Sequence, residues 1–487
     1  MKRAFAALDL GTSNLKLVAW IPGEKVEFLG SLPNEIQAGP DGACRCGFKE
    51  IHTSALKMLK TLGQWSEAAG VRELSLGFCG HVSSLLAWDT RANAPVEDGA
   101  PIWMDTTCRG SVPVLRAFLE GGRDLLELGT FLPAATNWLA TKLHHAAAGK
   151  NHSHDILFLQ FHDALHLLLT GKARSHFSSQ ISLVDHRSGA YAPALLEFAG
   201  VSLGQLPDVA SHPALPLLDR PRRECGLPKE TLVYPGLGDY YGAFLGLFLG
   251  AGDGFCLAHT SEQAGICNLD KDKGVPPKGL IRISVLGRSF DYGSTTSGGA
   301  NVNWLQKNIL GRENGLVDLE ARACAVPPGS EGLMHLPYLS GERAPLWDEA
   351  RRGVFAGLAL HHGDAHLFRA VLEGVAMARR QLFESLPGSI PARITLAGGS
   401  TVNGLWNRIR ASILGQPVRV LRHYGVSLLG TLRHMLELEG CREHSELLRQ
   451  ELKFESVEPE TAWRSSYEAS YRRFLELQQT MARWDHS

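Results

Sequence analysis

A single design, used twice, constrains this chain most. Residues 4–21 run as an apolar strand into the small polar tip Gly11-Thr12-Ser13-Asn14 and out into a second apolar alternation, and FCLAHTSEQAGICNL at 255–269 repeats that order of apolar strand, Thr-Ser tip and apolar strand. Alternation of period two on both sides of small polar residues predicts hairpins. Thr12 and Thr260 lie about half the 487-residue chain apart, which predicts two related halves facing each other with a phosphate held between their tips. A chain this long exceeds one ordinary core, so two domains are expected in any case.

The rest of the chain alternates short β patterns with amphipathic helices, which argues for an α/β class. Residues 4–9, 15–21 and 25–29 read as consecutive strands, and residues 51–65 place Ile51, Ala55, Leu59 and Leu62 on one helical face. Six prolines crowd the interval from Pro207 to Pro235, an irregular stretch after which a domain boundary is expected. The expected division is 1–243 and 244–487.

Composition removes several function classes. Lysine plus arginine, 49, nearly balances aspartate plus glutamate, 50, so no nucleic-acid surface or acidic tail is implied. The opening MKRAFAALDLG has its apolar stretch broken by Asp9 and fits no signal peptide. Runs such as ALHLLLTG are well short of the ~20 residues that span a bilayer. A soluble, cytoplasmic protein without membrane partners is the expectation. The nine cysteines form no facing CxxC pairs and are expected as reduced thiols. The histidine pairs His144-His145 and His361-His362 do not suggest a protein-only metal site, because adjacent side chains share no helix or strand face.

The chemistry lies in the tips and in three later segments. Glycine lets the backbone approach an anion, and Thr and Ser add hydroxyl donors, so Gly11, Thr12 and Ser13 suit a phosphate, although an isolated Gly-Thr-Ser is more often an ordinary turn. Asp9 sharpens the reading, since a carboxylate beside a phosphate needs a divalent cation or its waters between them. Lys16 offers a counter-charge. YPGLGDYYGAFLG (234–246) puts Asp239 at the start of an apolar helix. An acid there is more often a helix cap, but aimed into a cleft it can accept a hydroxyl proton in phosphoryl transfer. RITLAGGSTVNGLWNRIRASILGQPVRVL (393–421) reads as strand, glycine turn, helix and strand, with Gly398, Gly399 and Ser400 opening the helix where a phosphate or a flat ring could sit. GxxxxGK[ST], HRD and DFG motifs are absent. LPYLSGERAPLWDEARRGVFAGLALHHG (336–363) reads as an exposed charged turn by composition alone. The helix after it, LFRAVLEGVAMARRQLF, has an apolar stripe broken at Glu373-Gly374, which predicts close packing on a neighbour.

Together these segments resemble the FGGY family of carbohydrate kinases, in the family's order and over nearly the whole chain. DLGTSNLK (9–16) and HTSEQ (259–263) look like its two phosphate motifs. GLGDYYGAFLG (236–246) looks like the segment bearing its catalytic aspartate, and GERAPLWDEARRGVFAGL (341–358) with LAGGSTVNGLWNRIRASILGQPV (396–418) resemble its C-terminal signatures. The resemblance implies a two-domain actin-like ATPase fold, duplicated and ribonuclease H-like, shared by sugar kinases, Hsp70 and actin, with sugar binding in the first domain and nucleotide binding in the second. It implies ATP and Mg2+ as cofactors and Asp239 as the general base. It further implies Asp9, through water, and Asp239 placing magnesium, and Thr12, Ser13, Thr260 and Ser261 handling the phosphate. Gly298, Gly299, Gly398, Gly399 and Asn403 would line the nucleotide pocket. Dimers are common among similar proteins.

The substrate segments depart from the family pattern. Xylulose-directed members carry Gln-Met-His-Gly where this chain has GFCGHVSSLLAWD (77–89), so His81 replaces the glutamine and Ser83 the histidine. IWMDTTCRG (102–110) keeps Trp103 and Asp105, but Thr107 stands where arginine is usual and Arg109 follows two positions later. Gly425 replaces a glutamate common in the segment that packs on the nucleotide pocket. GERAPLW and the Ser-Ser-Leu run look more like gluconate kinases, whereas GTFLPAATNWLATK (129–142) is similar to kinases of xylulose or sedoheptulose. The expectation is a ketose such as D-xylulose, and gluconate would require a cation from Arg109 or His81. An actin- or Hsp70-like ATPase switch and a sugar sensor without turnover are the rival classes.

Overall fold

The computed structural model describes residues 2–120, 135–147, 154–185, 188–209, 214–268, 279–311, 315–388, 390–422 and 425–485. The first six residues of GTFLPAATNWLATK fall outside them. The chain divides into two compact units, Met1–Phe248 with Tyr424–Leu452, and Leu249–His423 with Lys453–Ser487. These units differ from a linear cut at 243/244: the helix Asp239–Gly246 stays whole in the first unit, and a segment from beyond residue 420 returns to it.

The first unit is built on a seven-stranded sheet in the order Leu215–Pro216, Glu230–Val233, Val71–Gly80, Lys2–Leu10, Asn14–Trp20, Glu27–Pro33, with Leu237–Gly238 also paired to Val71–Gly80. Lys2–Leu10, Asn14–Trp20 and Glu27–Pro33 form an antiparallel meander, while Lys2–Leu10, Val71–Gly80 and Glu230–Val233 run parallel. Central parallel strands are covered on both faces and so carry continuous apolar runs. Ala4 to Leu8 are all fully buried. Successive side chains of a strand point to opposite faces, and the neighbouring residues Phe78 and Gly77 show both covers. Phe78 joins the core under the helix Phe48–Ala69, which buries Ile51, Ala55, Leu59 and Leu62 as its periodicity predicts. Gly77 faces Thr431 and Met435 of the helix Val426–Leu438.

That second cover sits unusually close to its neighbours. A Cβ on Gly246 would lie 1.9 Å from the Val426 carbonyl oxygen, and one on Gly430 would lie 1.6 Å from that of Gly242. Glycines therefore let the helices Asp239–Gly246 and Val426–Leu438 touch backbone to backbone, which is the physical reason residues beyond 424 belong with the first unit.

The second unit repeats the plan. Its seven strands run in the order Ile281–Val285, Arg288–Ser294, Glu262–Asn268, Gly254–Ala258, Ile394–Ala397, Val418–Leu421, Phe454–Val457. Gly254–Ala258 pairs antiparallel with Glu262–Asn268 and parallel with Ile394–Ala397, which is parallel to Val418–Leu421. The sense of each pairing matches its counterpart around Lys2–Leu10, so the duplication inferred from the tips extends through both sheets. The helix Asp364–Glu384 crosses this unit, and a Cβ on Gly374 would lie 2.2 Å from the His335 carbonyl oxygen, the close packing that the broken stripe predicts.

Candidate active site

Strand register brings the two acids of the first unit together. Asp9 pairs with Lys16 across the hairpin and with Cys79 on the other side, while Leu237 and Gly238 pair with Cys79 and Gly80. Three strands thus end side by side, and the chain turns at Gly238 straight into a helix whose first residue is Asp239. Gly238 holds the cap position, so the acid does not serve as the cap; its Oδ1 accepts the Tyr240 amide at 2.7 Å. Both acids keep some contact with solvent, yet protein surrounds them densely. Burial raises the Asp239 carboxyl to about 7, with the charge of Asp9 adding to the rise. Asp9 is raised to about 6 by burial, which Lys16 and hydrogen bonds from Ser427 and Cys79 partly offset. Ser427 Oγ donates to Asp9 Oδ2 at 3.3 Å, and Asp9 Oδ1 is buried without a hydrogen-bond partner. Two carboxyls both raised by burial, one with an orphaned oxygen, form a donor set that suits a divalent cation.

The tip at Gly11 to Asn14 is held from behind. Asn34 Nδ2 donates to the Gly11 and Thr12 carbonyls at 3.3 and 3.2 Å, and its amide donates to the Ser13 carbonyl at 2.9 Å. Three successive carbonyls are turned towards one residue that sequence reasoning missed. A Cβ on Gly11 would lie 2.6 Å from the Asn14 carbonyl oxygen, so the turn requires its glycine. Thr12 Oγ1 accepts Trp103 Nε1–H at 3.1 Å, which joins two of the predicted site residues directly.

The remaining substrate candidates fare differently. His81, at the end of Val71–Gly80, is buried edge-on to Phe161, and burial beside His162 lowers it to about 4, so its ring is neutral near pH 7. Ser83 is buried with φ +66 and its hydroxyl has no hydrogen-bond partner. Asp105 is buried, and its carboxylate already accepts the Cys44 amide at 2.8 Å and the Thr107 amide and hydroxyl at 3.0 and 2.5 Å. Thr107 therefore supports Asp105 where the family pattern has an arginine. Lys142 Nζ donates to the Asp105 carbonyl at 2.9 Å. Arg109 is exposed and donates to the Asp41 carbonyl at 3.2 Å.

In the second unit Thr260 is exposed and Ser261 half-buried at the matching tip. The helix Gly299–Trp304 starts against it: Gly299 and Ala300 amides donate to the His259 and Thr260 carbonyls, each at 2.9 Å. A Cβ on Gly298 would lie 2.7 Å from the Thr260 carbonyl oxygen, and one on Gly398 would lie 2.6 Å from that of Ala258. Gly298, Gly299 and Gly398 thus gather around one strand end. Gly399 has open space around it, and Asn403 caps the helix Gly404–Leu414 by accepting the Trp406 amide at 2.7 Å. The helix begins there; residues 399–402 form a 3-10 turn.

Below this tip lies an ion network missed at the level of sequence. Fully buried Glu262 meets Arg379 at 2.8 Å and Arg410 at 2.6 Å, and the two guanidiniums hold its carboxyl below the usual range despite burial. The loop at 341–358 is internal at its start, with Gly341, Glu342 and Ala344 buried, whereas Glu349, Arg352 and Leu358 are exposed. Glu342 is 3% exposed and accepts from the Thr296 amide at 2.7 Å, the Ser297 hydroxyl at 2.5 Å and the Arg343 amide at 2.8 Å. It binds down the segment leading into Gly298, and so is no surface turn.

His361 and His362 lie in a loop, not on a helix or strand, and with Glu331 they bring ligand atoms within 4.8 Å. His361 and His366 each place Nε2 near Glu331 Oε2, at 3.2 and 3.3 Å. However, His362 and His366 both accept backbone amides at Nδ1, from Ala359 and Gly363. In neutral rings the proton is then on Nε2, which for His366 faces the carboxylate and in neither ring leaves a lone pair for a metal. All nine cysteines are free thiols, and no helix among the described residues is long and apolar enough to cross a membrane.

The chain is similar to known proteins in sequence and in fold. Residues 289–433 match the C-terminal domain of the FGGY family of carbohydrate kinases. A glycerol kinase of Rhodospirillum centenum is 27% identical over 444 residues, covering 85% of this chain and 84% of its own. A gluconate kinase structure from Lactobacillus acidophilus superposes with a TM-score of 0.86 at 18% identity over 99% of both chains, and a xylulose kinase structure from Rhodospirillum rubrum with 0.85 at 23% identity over 100% of both. The fold is the two-domain actin-like ATPase fold of the sugar kinases. Twin sheets with matched tips are what that fold requires, and within it residues 289–433 are similar to the C-terminal domain of the FGGY family of carbohydrate kinases.

Proposed function

We propose that the protein transfers the γ-phosphoryl group of ATP to a hydroxyl of a small, uncharged open-chain sugar, most simply a ketose such as D-xylulose, with Asp239 as the general base. The observation that carries this reading is the acid pair: Asp239 opens a helix at the ends of three strands, accepts a hydrogen bond only from its own neighbour among the bonds described for its carboxylate, and has a proton affinity raised to about 7 by burial and Asp9. A base poised near working pH can take the hydroxyl proton as the sugar oxygen attacks.

Magnesium fits the same pair. Asp9, through its orphaned Oδ1, and Asp239 would hold it, and when bound it would offset phosphate charge. Thr12 and Ser13 in the first unit and Thr260 and Ser261 in the second supply hydroxyl donors for phosphate in this reading. Gly298, Gly299 and Gly398 let backbone approach the nucleotide, while Asn403 acts through the helix that it caps.

The engagements of Arg109, Lys142 and His81 support a neutral sugar. A gluconate carboxylate needs a charged donor. Arg109 is exposed and engaged with Asp41, Lys142 is spent on the Asp105 carbonyl, and His81 is neutral. ADP release across D-xylulose, D-ribulose, sedoheptulose, gluconate, erythritol and glycerol tests this, with a ketose expected fastest and gluconate slow. Gluconate as the best acceptor would reverse the substrate reading. Asp239→Asn should cost about 1,000-fold or more in kcat with ATP affinity nearly unchanged; steady ATPase activity indifferent to every sugar would favour a nucleotide switch.

A further inference from the structure

The backbone on either side of Asp239 is fastened by a turn that carries no family motif used above. Phe177–Gln180 is a short 3-10 turn in which Ser178, Ser179 and Gln180 are buried. Gly238 donates its amide to Ser178 Oγ at 3.0 Å, and Tyr240 Oη donates to the Ser178 carbonyl at 2.9 Å. Residues 238 and 240 flank Asp239, so one serine grips both neighbours of the acid.

The serine is itself oriented. Its oxygen accepts from Gly238, which leaves its own proton for His176 Nδ1, 2.8 Å away; the same nitrogen accepts the Ser178 amide at 3.2 Å. His176 can accept both only as a neutral ring. It is packed among Phe177, Tyr241 and His434, and burial with His434 alongside keeps it far below the usual histidine range. The strand before the acid is clamped in the same way. Ser179 Oγ donates to the Gly236 carbonyl at 2.9 Å, and a Cβ on Gly236 would lie 2.4 Å from the His162 ring.

We infer that Ser178 is a positioning residue for phosphoryl transfer: by bonding to Gly238 and Tyr240 at once, it fixes where the Asp239 carboxylate stands relative to the sugar hydroxyl. The inference rests on Asp239 being the base. A general base works only within hydrogen-bond reach of the proton it takes, and a displacement of about 1 Å costs on the order of 100-fold. Without the serine hydroxyl, the buried Gly238 N–H loses its acceptor and the helix start is free to shift.

The test compares native protein with Ser178→Ala, Ser178→Thr, Tyr240→Phe and Asp239→Asn, measuring ADP release at varied ATP with D-xylulose, or with the panel sugar turned over fastest, alongside melting curves. Ser178→Ala is expected to lower kcat by about 10- to 100-fold with KM for ATP changed less than about twofold, and Ser178→Thr to recover most of the loss. If Ser178→Ala does not fold, Tyr240→Phe removes only the other grip and is expected to lower kcat by about 5-fold. Native kcat in folded Ser178→Ala, or in Tyr240→Phe where the alanine variant fails, overturns the inference, as does folded Ser178→Thr no better than alanine. Native turnover in Asp239→Asn instead brings down the base assignment itself, whereas an inactive Asp239→Asn beside a native Ser178→Ala removes this inference alone.

Discussion

Trp103 Nε1 donates to Thr12 Oγ1 at 3.1 Å, so the loop bearing the predicted sugar contacts is tied to the tip bearing the predicted phosphate contacts. The bond fixes the hydroxyl rotor of Thr12 and leaves that oxygen's own proton free to donate elsewhere. Trp103→Phe keeps an aromatic ring but deletes the N–H. A neutral hydrogen bond is worth about 1 kcal/mol, so kcat should fall about 5-fold. The melting temperature should stay within a few degrees of native, since only one partly buried bond is lost, and steady-state kinetics beside a melting curve checks both.

The glycine contact between the helices Asp239–Gly246 and Val426–Leu438 leaves no room for a methyl group. At Gly246 the obstacle is the Val426 carbonyl oxygen, 1.9 Å from an added Cβ, and at Gly430 it is that of Gly242, 1.6 Å away. Backbone cannot rotate aside as a flexible side chain can, so Gly246→Ala and Gly430→Ala should each destabilise by about 3 kcal/mol or more. Because the first of these helices begins with Asp239, any protein that survives should also turn over slowly. Gly399→Ala, at a position with open space, is the control and should melt as native does.

What the sequence made legible follows from how local each signal is. Hairpin alternation, the Thr12 and Thr260 tips and the stripe of Phe48–Ala69 are set within a few residues, and the structure contains them. The break at Glu373-Gly374 was legible for the same reason: a glycine in a helix stripe means that something approaches closely. The partners were not legible. Nothing near residue 9 announces Ser427, and nothing near 262 announces Arg379 and Arg410, because side chains that meet across a fold share no period. GERAPLW looked exposed because composition counts charges, whereas Glu342 is buried by the amides it accepts. The linear domain division missed the return of 424–452 since its signal is a match of glycines on two distant helices. Asn403, expected to line the nucleotide pocket, also caps its own helix through its oxygen.

Glu262 answers two buried arginines at once, and each arginine has further bonds around the second tip: Arg379 to the Thr295 hydroxyl and Arg410 to the Ser400 hydroxyl. Ser400 in turn donates to the Ala258 carbonyl at 3.0 Å. Removing the carboxylate would leave two unpaired buried cations, a loss of about 3–5 kcal/mol. Glu262→Ala should therefore lower the urea midpoint strongly. Glu262→Gln, which keeps the shape and an acceptor oxygen, should lose less, and the gap between the two variants measures how much charge and how much hydrogen bonding the tip relies on.

The acid pair makes an opposite demand on pH from that of most paired carboxylates. Asp9 and Asp239 are raised from 3.8 to about 6 and about 7, each chiefly by burial, so the folded protein holds these protons more tightly than the unfolded chain does. Stability from this source is complete below the ordinary carboxylate range and is lost as pH rises through the two folded values. With divalent ions chelated, the melting temperature should fall between about pH 5 and pH 8, and Asp239→Asn should flatten that fall by removing one proton and the repulsion it relieves. Added Mg2+ should restore the native protein at pH 8 more than it restores Asp239→Asn, because a cation stabilises only the ionised pair. A native profile that is flat across this interval, with no response to Mg2+, would mean that the two carboxyls are hydrated and apart.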